Sequence, residues 1–209
     1  MVILLGLAAA VLYGSGDFLG GMATRRAHVL VVLTVANTAA VIVAIAAAAM
    51  SPGHASLAGL VWGIIAGLTG GLGLIIFYIG LATGPMSVVA PVSGLVSTVL
   101  PVAVALAEGE RPGAGVYAGA LLCLVAVALA SSVGHTSAVD GPRRPGRARA
   151  VAYGIASGAS FGLFFLLIRN AGQSGTLWPV AAGRVGELAI VLAAAAVLRR
   201  GLLPRDTSS

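Results

Sequence analysis

Three charged side chains, Asp17, Arg184 and Glu187, sit inside the long apolar stretches of a 209-residue chain. In hydrocarbon each costs at least about 2.5 kcal/mol unless it is paired or hydrated. Each therefore needs a neighbour, water or a ligand. Asp17 is flanked by Gly14, Gly16, Gly20 and Gly21, which let a helix or a ligand approach closely. It lies roughly 7 Å from the centre of its segment at about 1.5 Å per helical residue, with no cation beside it. The spacing points to a carboxylate that binds a proton or a cationic substrate, or one that hydrogen-bonds a neighbouring helix. Arg184 and Glu187 are three residues apart, hence on one helix face and within pairing distance. They read as a buried ion pair that fixes their helix, with anion binding by Arg184 as the functional alternative.

Uncharged polar groups extend the set. Asn37, Tyr13 and Tyr78 interrupt apolar segments, and interhelical hydrogen bonding is the default for each. Pro91 and Pro101 lie inside one apolar segment, where each removes a backbone donor and frees a carbonyl. Lipid tolerates freed carbonyls only where protein or a water-lined cavity covers them. That segment, with Ser87, Ser93, Ser97 and Thr98, is the first choice for lining a pathway. The alternatives are a kink for packing and hydroxyls bonded to their own backbone four residues back. The substrate-pathway set is thus Asp17, Asn37, Tyr78, Ser87, Pro91, Ser93, Arg184 and Glu187.

The elements that carry these groups follow from composition. The chain is 59% hydrophobic and 9% charged, with a mean hydropathy of +1.06, far from the composition of soluble domains. A hydrocarbon core about 30 Å thick needs about 20 apolar residues per helix. Spans are predicted near 2–22, 29–50, 57–82, 85–106, 113–133, 150–169 and 178–198. Strands are excluded because segments such as 29–50 are continuously apolar and far longer than the roughly 10-residue alternating strands of a barrel. The fold class is all-α, a polytopic transmembrane helix bundle of seven spans. The first span stays in the mature protein, because no basic residue precedes it and six more spans follow.

The net charge of +6 comes from arginine alone. Arg25, Arg26, Arg143, Arg144, Arg147, Arg149, Arg199, Arg200 and Arg205 fall on one side of such a bundle, so the charge marks topology rather than nucleic-acid binding. The positive-inside rule puts that side in the cytoplasm. Residues 134–149 hold Pro142, Pro145, Asp140 and four arginines and read as a linker. It divides a five-helix unit, 1–133, from a two-helix unit, 150–200, followed by a polar tail, 201–209. A shift of 148 sets Gly6 on Gly154, Ala8 on Ala156, Gly14 on Gly162 and Ile42 on Ile190. Five spans precede the second copy, which must then insert upside down, as in the inverted repeats of secondary transporters.

Enzyme chemistry finds little support. His28, His54 and His135 lie in loops, no HExxH occurs, no glycine loop precedes a lysine, and Cys123 stands alone. No cofactor or metal is expected. Within 57–82, Gly59, Gly63 and Gly67 form two overlapping GxxxG steps, which read as close helix packing. Trp62 and Trp178 suit the interfacial belt. Glu108, Glu110 and Arg111 fall at a water boundary and read as capping and topology.

The strongest local signature is Phe77-Tyr78-Ile79-Gly80-Leu81-Ala82-Thr83-Gly84-Pro85, then Ser87-Val88-Val89-Ala90-Pro91-Val92, then Glu108-Gly109-Glu110-Arg111-Pro112. With Tyr13-Gly14-Ser15-Gly16-Asp17-Phe18, it resembles the EamA family of the drug/metabolite transporter superfamily along essentially the whole chain. The resemblance implies two five-helix halves that move metabolites, amino acids or drug-like compounds, usually outward, with a cytoplasmic N-terminus. This chain offers helices 1 to 7 of that plan, an incomplete five-plus-five inverted repeat lacking the last three. The arginine distribution implies the opposite orientation, which stays open. Two functions follow as expectations. One is a secondary exporter of a small-molecule substrate in the cell membrane. The other is a non-transporting membrane subunit or degenerate transporter fragment. The partners expected are the lipid bilayer and a second copy or another membrane chain.

Overall fold

The computed structural model describes residues 2–111, 113–133, 146–171 and 176–202. Among these residues seven helices follow in order: α1 (Val2–Arg26), α2 (Val29–Met50), α3 (Leu57–Thr83), α4 (Met86–Ala107), α5 (Ala114–Val133), α6 (Arg147–Ala171) and α7 (Trp178–Leu202). The spans read from hydropathy agree with them within four residues at each end. Six of these helices (α5 is the seventh) are long and apolar enough to cross a membrane, among the described residues. Helix α6 starts at Arg147 rather than near 150, so the last residues of the expected linker are helical. Most of that linker, Pro112 and the end of the polar tail lie outside the described residues.

Short turns set the helix directions. His28 caps α2 through Nδ1, which accepts from the Leu30 N–H at 3.4 Å, and Ser56 caps α3 by accepting from the Gly59 N–H at 3.1 Å. Gly84-Pro85 separates α3 from α4, with the Gly84 N–H closing on the Gly80 carbonyl at 2.8 Å. The α4–α5 turn reverses at Gly109, whose φ of 83° is open to glycine at no steric cost. Its N–H reaches the Leu106 carbonyl and the Glu110 N–H reaches Ala105, satisfying the last carbonyls of α4 as in a Schellman cap.

Helix α3 is the centre of the bundle, packed by α6 and α7, while α6 also lies on α4 and α7 on α2. Glycine explains why. Along one face of α3, Gly63, Gly67 and Gly71 meet Pro179, Gly183 and Glu187 of α7 in rising order, so the two helices run parallel. A Cβ on Gly67 would run into the Gly183 carbonyl, so backbone packs on backbone there. The expected GxxxG packing is realised at Gly63 and Gly67. On a second face, Gly73 and Gly80 meet Phe161 and Tyr153 of α6 in falling order, which makes α3 and α6 antiparallel. Parallel to α4, α6 seats Gly154 on Val92, Gly158 on Ser93 and Val96, and Gly162 on Leu100.

The apolar core gathers Leu33, Phe77, Tyr78, Leu81, Val89, Ala150 and Val191 from five helices. Phe77 makes edge contacts with Tyr78 and Phe161 at ring centroids of 5.6 and 6.0 Å. By contrast α1 packs on the bundle mainly near its C-terminal end. Gly20 and Gly21 lie against Tyr78, Met86 and Leu81, and Arg25 donates to the Gly84 carbonyl at 3.3 Å. Gly6, Gly14 and Gly16 have nothing within 4 Å.

Candidate functional site

Helix periodicity places Tyr13 and Asp17 one turn apart on the same face of α1. Asp17 is half-buried toward α3, where the Tyr78 phenol lies over Gly20 and feels the Asp17 charge. Among the described residues the Asp17 carboxylate has neither an ion pair nor a hydrogen-bond partner. It is an acceptor-only group with room beside it, because the neighbouring Gly14 and Gly16 face open space.

The expected pair on α7 is present. Arg184 Nη1 stands 2.7 Å from Glu187 Oε2, with the glutamate side chain 8% exposed and the arginine 31%. Gly70 and Gly71 of α3 make room for Glu187, since a Cβ on Gly70 would sit 3.0 Å from its Oε1. The Tyr13 phenol stands near enough to Arg184 to interact with its charge, which relates α7 to the face of α1 that carries Asp17. Asp17 and Tyr78 thus form one end, and Tyr13, Arg184 and Glu187 the other, of a polar strip running across α1, α3 and α7. Such a strip offers a proton- or cation-binding carboxylate at one end and a guanidinium with unused donors at the other.

The remaining residues of the set lie apart from this strip or are engaged elsewhere. Asn37 is 3% exposed on α2, and its Nδ2 has no hydrogen-bond partner. Ser93 is buried in the α4–α6 seam, where the Ser157 hydroxyl donates to its Oγ at 3.0 Å. Ser87 and Pro91 are half-buried on the first turns of α4. Ser97 and Thr98 both donate to the Gly94 carbonyl, the backbone bonding that was their alternative reading. Helix α4 continues through Pro91 and Pro101.

Two features escaped the sequence reading. Ser157 was not singled out, although a serine among glycines on an apolar helix invites an interhelical bond. Arg169, at the end of α6, reaches Glu108 at 3.0 Å and Glu110 at 3.4 Å, so the acidic turn is clasped as well as capped. Arg169 and the turn end on the same side of the bundle, and that coincidence is the signal available in the sequence. The run Gly158-Ala159-Ser160-Phe161-Gly162 fits a GxSxG pattern, but it lies mid-way along α6 against Gly73. A nucleophile elbow needs a sharp strand-to-helix turn, which a continuous helix does not supply. No group of three metal-ligating side chains occurs among the described residues.

Long apolar helices that present large side chains outward while holding charges among themselves define a multi-pass membrane protein. The chain belongs to the EamA-like transporter family, whose sequence pattern matches residues 1–132. No curated protein and no solved structure matches it.

Proposed function

We propose that the protein is a secondary transporter of the cell membrane that exports small metabolites or drug-like compounds, with the strip from Asp17 to Arg184 as its substrate pathway. The observation that carries this reading is the unpartnered Asp17 carboxylate, held among lipid-embedded helices beside Tyr78 and open glycine surface. A carboxylate so placed is costly to maintain and marks an ion or substrate path by default. Arg184, one-third exposed and already paired with Glu187, would take an anionic group of the substrate.

Helix directions support an inverted repeat of units 1–133 and 150–200 across the linker 134–149. The parallel run of α1 with α3, and the antiparallel run of α3 with α6, make α6 antiparallel to α1, the helix it matches in sequence. Secondary transporters place their sites between such halves. The test is efflux of a panel of labelled amino acids and organic cations from proteoliposomes. Wild type should export at least one of them, and Asp17→Asn should abolish that export at unchanged protein level. Full transport by Asp17→Asn with unchanged pH dependence removes the proposed pathway.

A second reading, a membrane subunit without transport of its own, is favoured by α1, which leaves Leu4, Val11, Leu12 and Tyr13 at least 67% exposed. Size measured in mild detergent separates the two. A monomer that moves none of the panel supports the subunit, whereas an active assembly supports the transporter.

A further inference from the structure

The α4–α5 turn roofs a groove of about 420 Å³ that neither reading above uses. Helix α4 forms its floor with Pro101, Val102 and Ala105, while Val116 of α5 and Phe165 and Leu166 of α6 form its walls. Among the described residues its charged lining is Glu110, Arg111 and Arg169, which stand at the mouth beside the turn. Val102 also borders a second space of about 170 Å³, lined by Leu95, Val99, Ala120 and Cys123 along the α4–α5 seam. A polar mouth thus stands over an apolar groove, with a second apolar space beside it along α4. This apolar lining along α4 suits an acyl chain hung from a headgroup.

The rim charges say which headgroup. Arg169 is shared between two carboxylates, Glu108 and Glu110, at 3.0 and 3.4 Å, so one positive charge answers two negative ones. Arg111 makes no ion pair among the described residues and is exposed. The mouth therefore presents an under-neutralised carboxylate and an unpaired guanidinium at adjacent positions of the chain. An anionic headgroup would satisfy Arg111 but meet Glu110 with like charge. A headgroup carrying a phosphate and a primary ammonium a few atoms apart satisfies both, with charge-assisted hydrogen bonds on each side. Depth agrees as well. The turn lies at the end of the bundle where α3 and α7 begin, and there Trp62 and Trp178 mark the interfacial level.

We propose that this groove binds one phospholipid with a phosphoethanolamine headgroup, its phosphate on Arg111, its ammonium on Glu110 and an acyl chain along α4. A quaternary ammonium has no N–H to donate to Glu110, so phosphocholine lipids bind more weakly. The site is independent of whether the chain transports anything.

The test is native mass spectrometry of the full chain released from nanodiscs holding equal parts of dioleoyl phosphatidylethanolamine, phosphatidylcholine and phosphatidylglycerol. The expected result is one retained lipid, of the ethanolamine mass. Arg111→Ala should lower that retention about tenfold, the effect of losing one charge-assisted hydrogen bond. Because Arg111 is exposed and unpaired, this variant keeps the fold, and Arg149→Ala at the opposite end serves as a control that keeps the lipid. Equal retention of the three lipids, or preference for the glycerol lipid, overturns the assignment. So does an ethanolamine preference that Arg111→Ala leaves intact.

Discussion

Removing Arg184 should harm the protein more than removing Glu187, and removing both should do least harm per residue removed. At an effective dielectric constant of about 20, opposite unit charges about 4 Å apart attract by about 4 kcal/mol. The pair here is in direct contact at 2.7 Å. Arg184→Leu strands a carboxylate whose side chain is 8% exposed, pressed against the glycine face of α3. The expected cost is about 3 to 5 kcal/mol. Glu187→Leu leaves a guanidinium that is 31% exposed, so water compensates it in part. Its cost should be about 1 to 2 kcal/mol, in the range of a lost hydrogen bond to a charged group. Independent effects would sum to roughly 4 to 7 kcal/mol in the double variant, whereas a buried pair exchanged for apolar side chains should cost no more than about 2 kcal/mol. Free energies from SDS-titrated unfolding in mixed micelles measure all four corners of the cycle. Equal single costs that add in the double variant would refute the assignment of this pair as a coupled, buried unit.

Two further outcomes follow from the packing. Gly67→Leu should prevent α7 from seating on α3, seen as loss of the folded fraction in the same unfolding assay, whereas Gly14→Leu, with nothing within 4 Å, should be tolerated. Arg169→Ala breaks two ion pairs whose side chains are about half exposed, and its cost should stay below about 1 kcal/mol and vanish in high salt, as read by the same titration.

Helix positions were legible because hydropathy and turn residues act locally. His28, Ser56, Gly84-Pro85 and Gly109 end or start helices through their own backbone demands, so α1 to α4 fall where the sequence puts them. The Arg184–Glu187 pair was legible for the same reason, since both partners share one helix face. Contacts between helices distant in sequence were not. Nothing near Ser93 indicates that Ser157, 64 residues away, will meet it, and the acidic turn gives no hint of Arg169, 61 residues beyond Glu108. The glycines of α3 announced close packing without naming α6 and α7 as its partners. Asp17 was recognisable as unpaired by its own helix, but its position beside Tyr78 depends on how α1 leans.

The dependence of α3 on α7 has a consequence for synthesis. Leu57 and Trp178, the first residues of the two helices, are separated by roughly 120 positions, which a ribosome covers in about 6 to 24 s at about 5 to 20 residues per second. Throughout that interval α3 lies in the membrane with the glycine face that α7 will cover still bare, built from residues of low helix propensity. The newborn chain is thus most exposed to quality-control proteases at its future centre. A substitution in α7 that slows insertion will be felt first as turnover of a helix made long before it.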